Sequence, residues 1–276
     1  MSRANDKDIV KFQYNTDKNL YARQALHRGF STNKYGWENW VFDQYSFKPE
    51  AKVIEFGCGN ASTWANNINK LPKDTQVILT DLSDGMLSTA KEKLSGVEQI
   101  IDFLPMDVQN IQYKDNSFDY VIANHMLYHV PKRALAISEI ARILKPEGTF
   151  HATTNSIYNM RGLKDLVRNF DSRLDYASFS VANEFGLENG AEQISEYFES
   201  VEKLVYEDSL HITEAKPLAD YVMSMEGHVN IHEIMTESRL MDFYEYLNER
   251  ISREGSIDIP KGSGMFIAKK PKKSKL

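Results

Sequence analysis

The stretch VIEFGCGNAS, residues 53–62, decides how this chain is read. It opens inside KVIEF (52–56), a short apolar run that stops at Gly57 and Gly59. Runs of this length rich in Val, Ile and Phe suit buried strands. Two glycines directly after a strand permit a tight turn into a helix and a close backbone approach by a ligand. A lone Gly-x-Gly is also compatible with a plain turn, so the flanking pattern must carry the argument. Working outward, QVILT (76–80) ends at Asp81, and QIIDFLPMD (99–107), FDYVIA (118–123) and GTFHATT (148–154) follow. Helical stretches lie between them. Residues 83–95 put Met86, Leu87, Ala90 and Leu94 on one face, with Ser83 as N-cap and Gly96 just past the end. Residues 132–144 follow Pro131 and stop at KPEG (145–148), a turn signal. Strand and helix in alternation predict an α/β fold, a doubly wound and mostly parallel sheet. Such sheets bind ligands beyond the carboxyl ends of their strands, so residues 55–60, 81–83, 106–108 and 124–129 are the places to look.

The strand ends define a ligand. Asp81 stands 22 positions after Gly59, at the end of the second run. An acid there accepts hydrogen bonds from the two hydroxyls of a ribose. A dinucleotide fingerprint wants a third glycine or alanine three positions after the second glycine, and Ser62 stands there. Leu82 and Met86 offer apolar faces for an adenine, and Asp107 ends the third run, where it can accept from an adenine amino group. Glu55, just before the turn, is hostile to phosphate and suited to an ammonium group. Adenosine, no phosphate and an amino-acid tail together describe S-adenosylmethionine.

VIEFGCGN, ILTDLSDGML, LPMDVQNIQYKDNSFDYVIANHMLYHV and ILKPEGTF resemble, in order and spacing, the successive motifs of class I S-adenosylmethionine-dependent methyltransferases of the small-molecule type. The resemblance covers roughly residues 50–155. It implies a Rossmann-like seven-stranded sheet whose last strand is antiparallel, with GMFIAKK (264–270) as that strand and VEKLVYE (201–207) as the one before it. It also implies a cofactor site. Gly57 and Gly59, with Glu55 and Cys58 in the same turn, would meet the methionine part and Asp81 the ribose. Asp107 and Val108, with Leu82, Met86 and Met106 nearby, would meet the adenine, and Asn124 would lie beside the sulfonium. Ala61 departs from the family, where another glycine or threonine is common.

The remaining segments read as a cap. Residues 1–48 form a polar and aromatic helical lid, and 49–276 form the methyltransferase domain with helical cap insertions at about 155–200 and 213–252. A closed lid excludes water and orients the acceptor. Tyr14, Trp37 and Tyr128 are candidate pocket walls, with ordinary core packing as the plainer role. The segment NHMLYHVP (124–131) is expected as loop, because Pro131 disfavours helix before it. It presents His125, Tyr128 and His129 as candidate catalytic residues, a histidine being suited to take an acceptor's proton near neutral pH. His125 and His129 are four apart, as are His228 and His232, but neither pair forms HExxH and no metal site is expected. Arg23, His27 and Arg28 could meet a carboxylate, or simply form a solvated helix face.

Composition bounds the function. Thirty-three Lys and Arg against 39 Asp and Glu leave a net charge of −6, and five lysines sit in the closing KKPKKSKL, so the body is more acidic still. Nucleic-acid binding needs a basic face, and that class is excluded. No apolar run reaches the roughly 18 residues of a membrane span. The polar start MSRANDKD and a single cysteine, Cys58, suggest a reducing, cytoplasmic setting. The expected partner is a small-molecule acceptor, with the oligomeric state left open. Two alternatives remain: a nicotinamide-dependent oxidoreductase, which Ser62 and Glu55 disfavour, and a non-catalytic S-adenosylmethionine-binding module.

Overall fold

The computed structural model describes residues 18–174, 181–224 and 231–272. The chain divides into two compact units. The first comprises Trp37–Ile157, Val181–Tyr206 and the chain from Ser263 on. Its seven strands are β1 (Lys52–Phe56), β2 (Gln76–Asp81), β3 (Ile100–Pro105), β4 (Phe118–Asn124), β5 (Leu144–Asn155), β6 (Phe198–Tyr206) and β9 (Ser263–Pro271). They are ordered β3-β2-β1-β4-β5-β9-β6. All pairs from β3 to β5 are parallel, and β9 runs antiparallel between β5 and β6. The sheet is therefore Rossmann-like with its last strand reversed, as the motif order implies. The central strands are apolar on both faces because helices cover both. Val53, Val77, Leu79, Tyr120 and Ile122 pack with Trp64, Phe42 and Tyr45. Ile54, Phe56, Val121 and Ala123 pack with Ile137, Ile140 and Phe150. The chain leaves β1 for β2 and β3, then returns to β4 on the other side of β1. The switch point thus lies at the carboxyl ends of β1 and β4.

Two local expectations differ from the structure. KPEG is not a turn before a strand but lies inside β5, which starts at Leu144. Phe118 pairs with Leu144 and Tyr120 with Thr149, so residues 145–148 bulge opposite Asp119 alone. Lys145 Nζ donates to both Asp119 oxygens, at 2.8 and 2.9 Å, and ties the bulge down. A Cβ on Gly148 would lie 2.9 Å from the Asp119 carbonyl and 2.7 Å from the Leu144 side chain, so glycine is required where the strand returns. The segment after β4 is likewise not all loop, since Leu127–His129 closes a 3₁₀ turn. Helix Asp84–Lys93 has the expected start, with Ser83 Oγ accepting from the Met86 amide at 3.3 Å. Gly96 follows it with φ of 83°.

The second unit comprises the chain up to Gly36, Tyr158–Ser180 and Glu207–Gly262. Helix Lys18–Phe30 packs on helix Ala215–Met223. Helix Glu237–Glu254 and the antiparallel ribbon of β7 (Ser209–Ile212) and β8 (Ile257–Pro260) complete its core, around Leu26, Leu163, Leu218, Phe243, Leu247 and Ile259. Arg23 donates through Nε to Ser224 Oγ at 3.2 Å and through a terminal nitrogen to the Ser224 carbonyl at 2.6 Å, a bond within this core. Arg28 bonds to Gln24 one turn back, on the same helix. Tyr14 and His228 lie outside the described residues.

Candidate functional site

The glycine turn after β1 has the geometry its sequence asks for. Gly57 and Gly59 have φ of 69° and 55°, and Ala61 follows at 53°. A Cβ on Gly57 would approach Met126 Cβ to 2.8 Å, whereas one on Gly59 would meet nothing within 4 Å. The turn is closed behind Gly57 and open at Gly59, where a ligand can come against bare backbone. The Cys58 amide donates to the Thr80 carbonyl at 2.9 Å, which joins the turn to β2.

Asp81 holds the next corner. Its Oδ2 accepts from the Gly59 amide at 2.9 Å and its Oδ1 from the Ser83 amide at 2.8 Å. Its carbonyl accepts from the Met106 amide at 3.2 Å, so one residue links the ends of β1, β2 and β3. Burial raises the Asp81 carboxyl above its ordinary range, and the amides of Ser83 and Gly59 oppose that rise. The Leu82 amide also bonds to this carboxyl, and the four lone-pair sites of a carboxylate leave room for an incoming hydroxyl. Leu82 is exposed beside it, while Met86 and Val108 are buried. Asp107 Oδ1 accepts from the Gln109 amide at 3.0 Å and from Gln109 Nε2 at 2.9 Å.

Behind the turn, Glu55 is 2% exposed. One oxygen accepts from the Trp64 indole and the other from Asn124 Nδ2 at 2.7 Å. Burial lifts the Glu55 carboxyl from its ordinary 4.5 to about 7; the two donors pull it down and Asp81 adds to the rise. The Asn124 amide also donates to Tyr45 Oη at 2.7 Å and accepts from Thr153 Oγ1 at 3.2 Å. Burial likewise pushes the Cys58 thiol up, so it is no thiolate nucleophile near neutral pH. Trp64, Tyr45 and Thr153 escaped the sequence reading, because no local spacing marks them.

The candidate catalytic residues gather after β4. His125 adopts φ of 47°. Its ring lies 5.2 Å from Trp37 and 6.3 Å from Tyr128, whose own ring is 4.6 Å from His129. Trp37 packs in turn on Trp40 and Tyr206. The structure thus brings Trp37, His125, Tyr128 and His129 together, and it gathers Glu55, the glycine turn, Asp81 and Asn124 around the ends of β1, β2 and β4. No helix among the described residues is long and apolar enough to cross a membrane.

Residues 54–152 match a family model described as a methyltransferase domain. The demethylmenaquinone methyltransferase of Staphylococcus saprophyticus is 32% identical over 113 residues, 41% of this chain and 48% of the relative. The chain thus spans about half the length of that relative. Among solved structures, phosphoethanolamine N-methyltransferase 2 of Haemonchus contortus in complex with S-adenosyl-L-methionine aligns with a TM-score of 0.57 at 17% identity. That alignment covers 96% of this chain and 60% of that one. The YcgJ protein of Bacillus subtilis aligns with a TM-score of 0.55 at 15% identity, over 84% and 97%. Residues 54–152 thus match a methyltransferase-domain model, and the sheet that contains them has the Rossmann-like fold shared with these solved structures.

Proposed function

We propose that the chain is an S-adenosylmethionine-dependent methyltransferase acting on a small-molecule acceptor. One observation carries the reading: the Asp81 carboxylate is bonded to the Gly59 and Ser83 amides, beside an open glycine turn at the switch point of the sheet. The residues present fit the cofactor. Gly57, Cys58 and Gly59 would cradle its methionine part, Asp81 would accept from its ribose, and Leu82, Met106, Asp107 and Val108 would border its adenine. Glu55 and Asn124 support the turn from behind through their bonds to Trp64, Tyr45 and each other. When bound, the cofactor supplies an electrophilic methyl group on sulfur. The protein aligns an acceptor lone pair with that carbon, a positioning task that supplies much of the rate of a displacement. His125 or His129 takes the proton that an acceptor hydroxyl or ammonium must lose. Trp37 and Tyr128 wall the acceptor side. The acidic body argues against nucleic acid as the acceptor, and the single cysteine supports a cytoplasmic setting.

The test is calorimetry of the purified chain with S-adenosylmethionine, S-adenosylhomocysteine and NAD. Binding of the first two and not of NAD is expected, and binding of NAD alone would overturn the reading. A metabolite extract incubated with isotope-labelled methyl donor then identifies the acceptor by its mass shift.

A further inference from the structure

We propose that Thr153 is a positioning residue that sets His125 for proton transfer; this rests on the reading of His125 as an acid–base group. His125 follows the last residue of β4 in left-handed backbone, φ 47°, which a side chain with a Cβ adopts at a cost. Thr153 holds it there with two acceptors. The His125 amide donates to the Thr153 carbonyl and to Thr153 Oγ1, each at 3.1 Å. The same hydroxyl donates its own proton to Asn124 Oδ1 at 3.2 Å. Thr153 faces Asn124 across the β4–β5 register and is 1% exposed.

The Asn124 Nδ2 donates at 2.7 Å to both Glu55 Oε1 and Tyr45 Oη, and with Glu55 ionised a reversed amide would set its oxygen against the carboxylate. The Thr153 hydroxyl is therefore the last link of a chain running from Trp64 through Glu55 and Asn124 to the His125 amide. That amide in turn places the imidazole beside Trp37. Neighbouring buried threonines behave differently. Thr80 donates to the Glu55 carbonyl at 2.9 Å, and Thr154 to the Phe185 carbonyl at 2.6 Å. Each satisfies its hydroxyl on main chain. Thr153 instead joins a side-chain amide to the strained residue after the strand. Valine has its shape and keeps the carbonyl acceptor, but loses both bonds of the hydroxyl.

The test is proton NMR of histidine ring signals on the full ligand-free chain, comparing wild type, Thr153→Val and Thr153→Ser, with Trp37→Leu to assign the His125 signal by its lost ring-current displacement. Thr153→Val is expected to shift that signal toward the Trp37→Leu position, and Thr153→Ser to keep it at the wild-type position. Thermal melting shows that the variants are folded, and Thr153→Ala serves if the valine variant is not. An unmoved His125 signal in the folded valine or alanine variant overturns the proposal. So does a serine variant shifted as far as the valine one, because the hydroxyl would then not be the cause. S-adenosylhomocysteine binding to wild type is measured separately by calorimetry. Its failure would sink the proposed function and leave the ligand-free comparison standing.

Discussion

Asp81 and Glu55 are both acids at strand ends, and the fold gives them opposite tasks. Asp81 accepts from the Gly59 and Ser83 amides beside the open glycine turn. Asp81→Ala removes an acceptor whose bonds to ligand hydroxyls are each worth about 1.5–3 kcal/mol. Calorimetry with S-adenosylhomocysteine should show at least about tenfold weaker binding by the folded variant. Glu55 is buried and titrates at about 7, and His151, buried near Tyr45, is pulled down from 6.5 to about 3 by desolvation, which the Gln44 main chain opposes. From pH 4.5 to 7 the folded state keeps a Glu55 proton that the unfolded chain has released, so that contribution falls as pH rises. From pH 6.5 down to about 3 the unfolded chain holds a His151 proton that the folded state lacks, so that contribution falls as pH drops. Between 4.5 and 6.5 the two slopes oppose each other. Glu55→Gln leaves His151 alone, and stability should then rise with pH across that window by on the order of 2 kcal/mol relative to wild type. Urea midpoints at several pH values measure it, and parallel curves for the two proteins would refute it.

At the scale of elements, β5 shows how a helix can pass straight into a strand. Helix Arg133–Ile143 ends where β5 begins, Leu144 already pairs with Phe118, and the four residues 145–148 bulge before regular pairing resumes at Thr149. Gly148 makes that return possible. Gly148→Ala puts a methyl group against the Asp119 carbonyl and Leu144, and overpacking of this kind costs about 1–3 kcal/mol. The loss should appear in the urea midpoint with the slope unchanged. The start of helix Asp84–Lys93 is a separate device. Ser83→Ala removes one capping acceptor and should cost about 1 kcal/mol in the same measurement.

At the scale of the whole molecule, a ligand that binds only the folded state raises stability by mass action. S-adenosylhomocysteine at one hundred times its dissociation constant should add about 2.7 kcal/mol, read as a rise in melting temperature, and NAD should add none. The lid expected of residues 1–48 and the two insertions is tested by amide exchange. If they cover the ligand, their exchange slows when S-adenosylhomocysteine binds, and identical rates with and without it would reduce them to scaffold.

The sheet and half of its site were legible because their signals are local. A strand declares itself by a run of apolar residues, the turn after β1 by two glycines, and Asp81 by standing at the end of the next run. Each of these lies where the chain passes from strand to helix, and the chemistry there is written in neighbouring positions. The support behind the turn was not legible. Asn124 meets Glu55 across 69 positions and Thr153 across 29, and Lys145 meets Asp119 across 26. Such bonds exist only once parallel strands take a register, and the register follows from burying both faces of the sheet at once. For the same reason Glu55 reads in sequence as an acid offered to a ligand, whereas the packed sheet turns its carboxylate inward to Trp64 and Asn124, where burial moves its titration by more than two pH units.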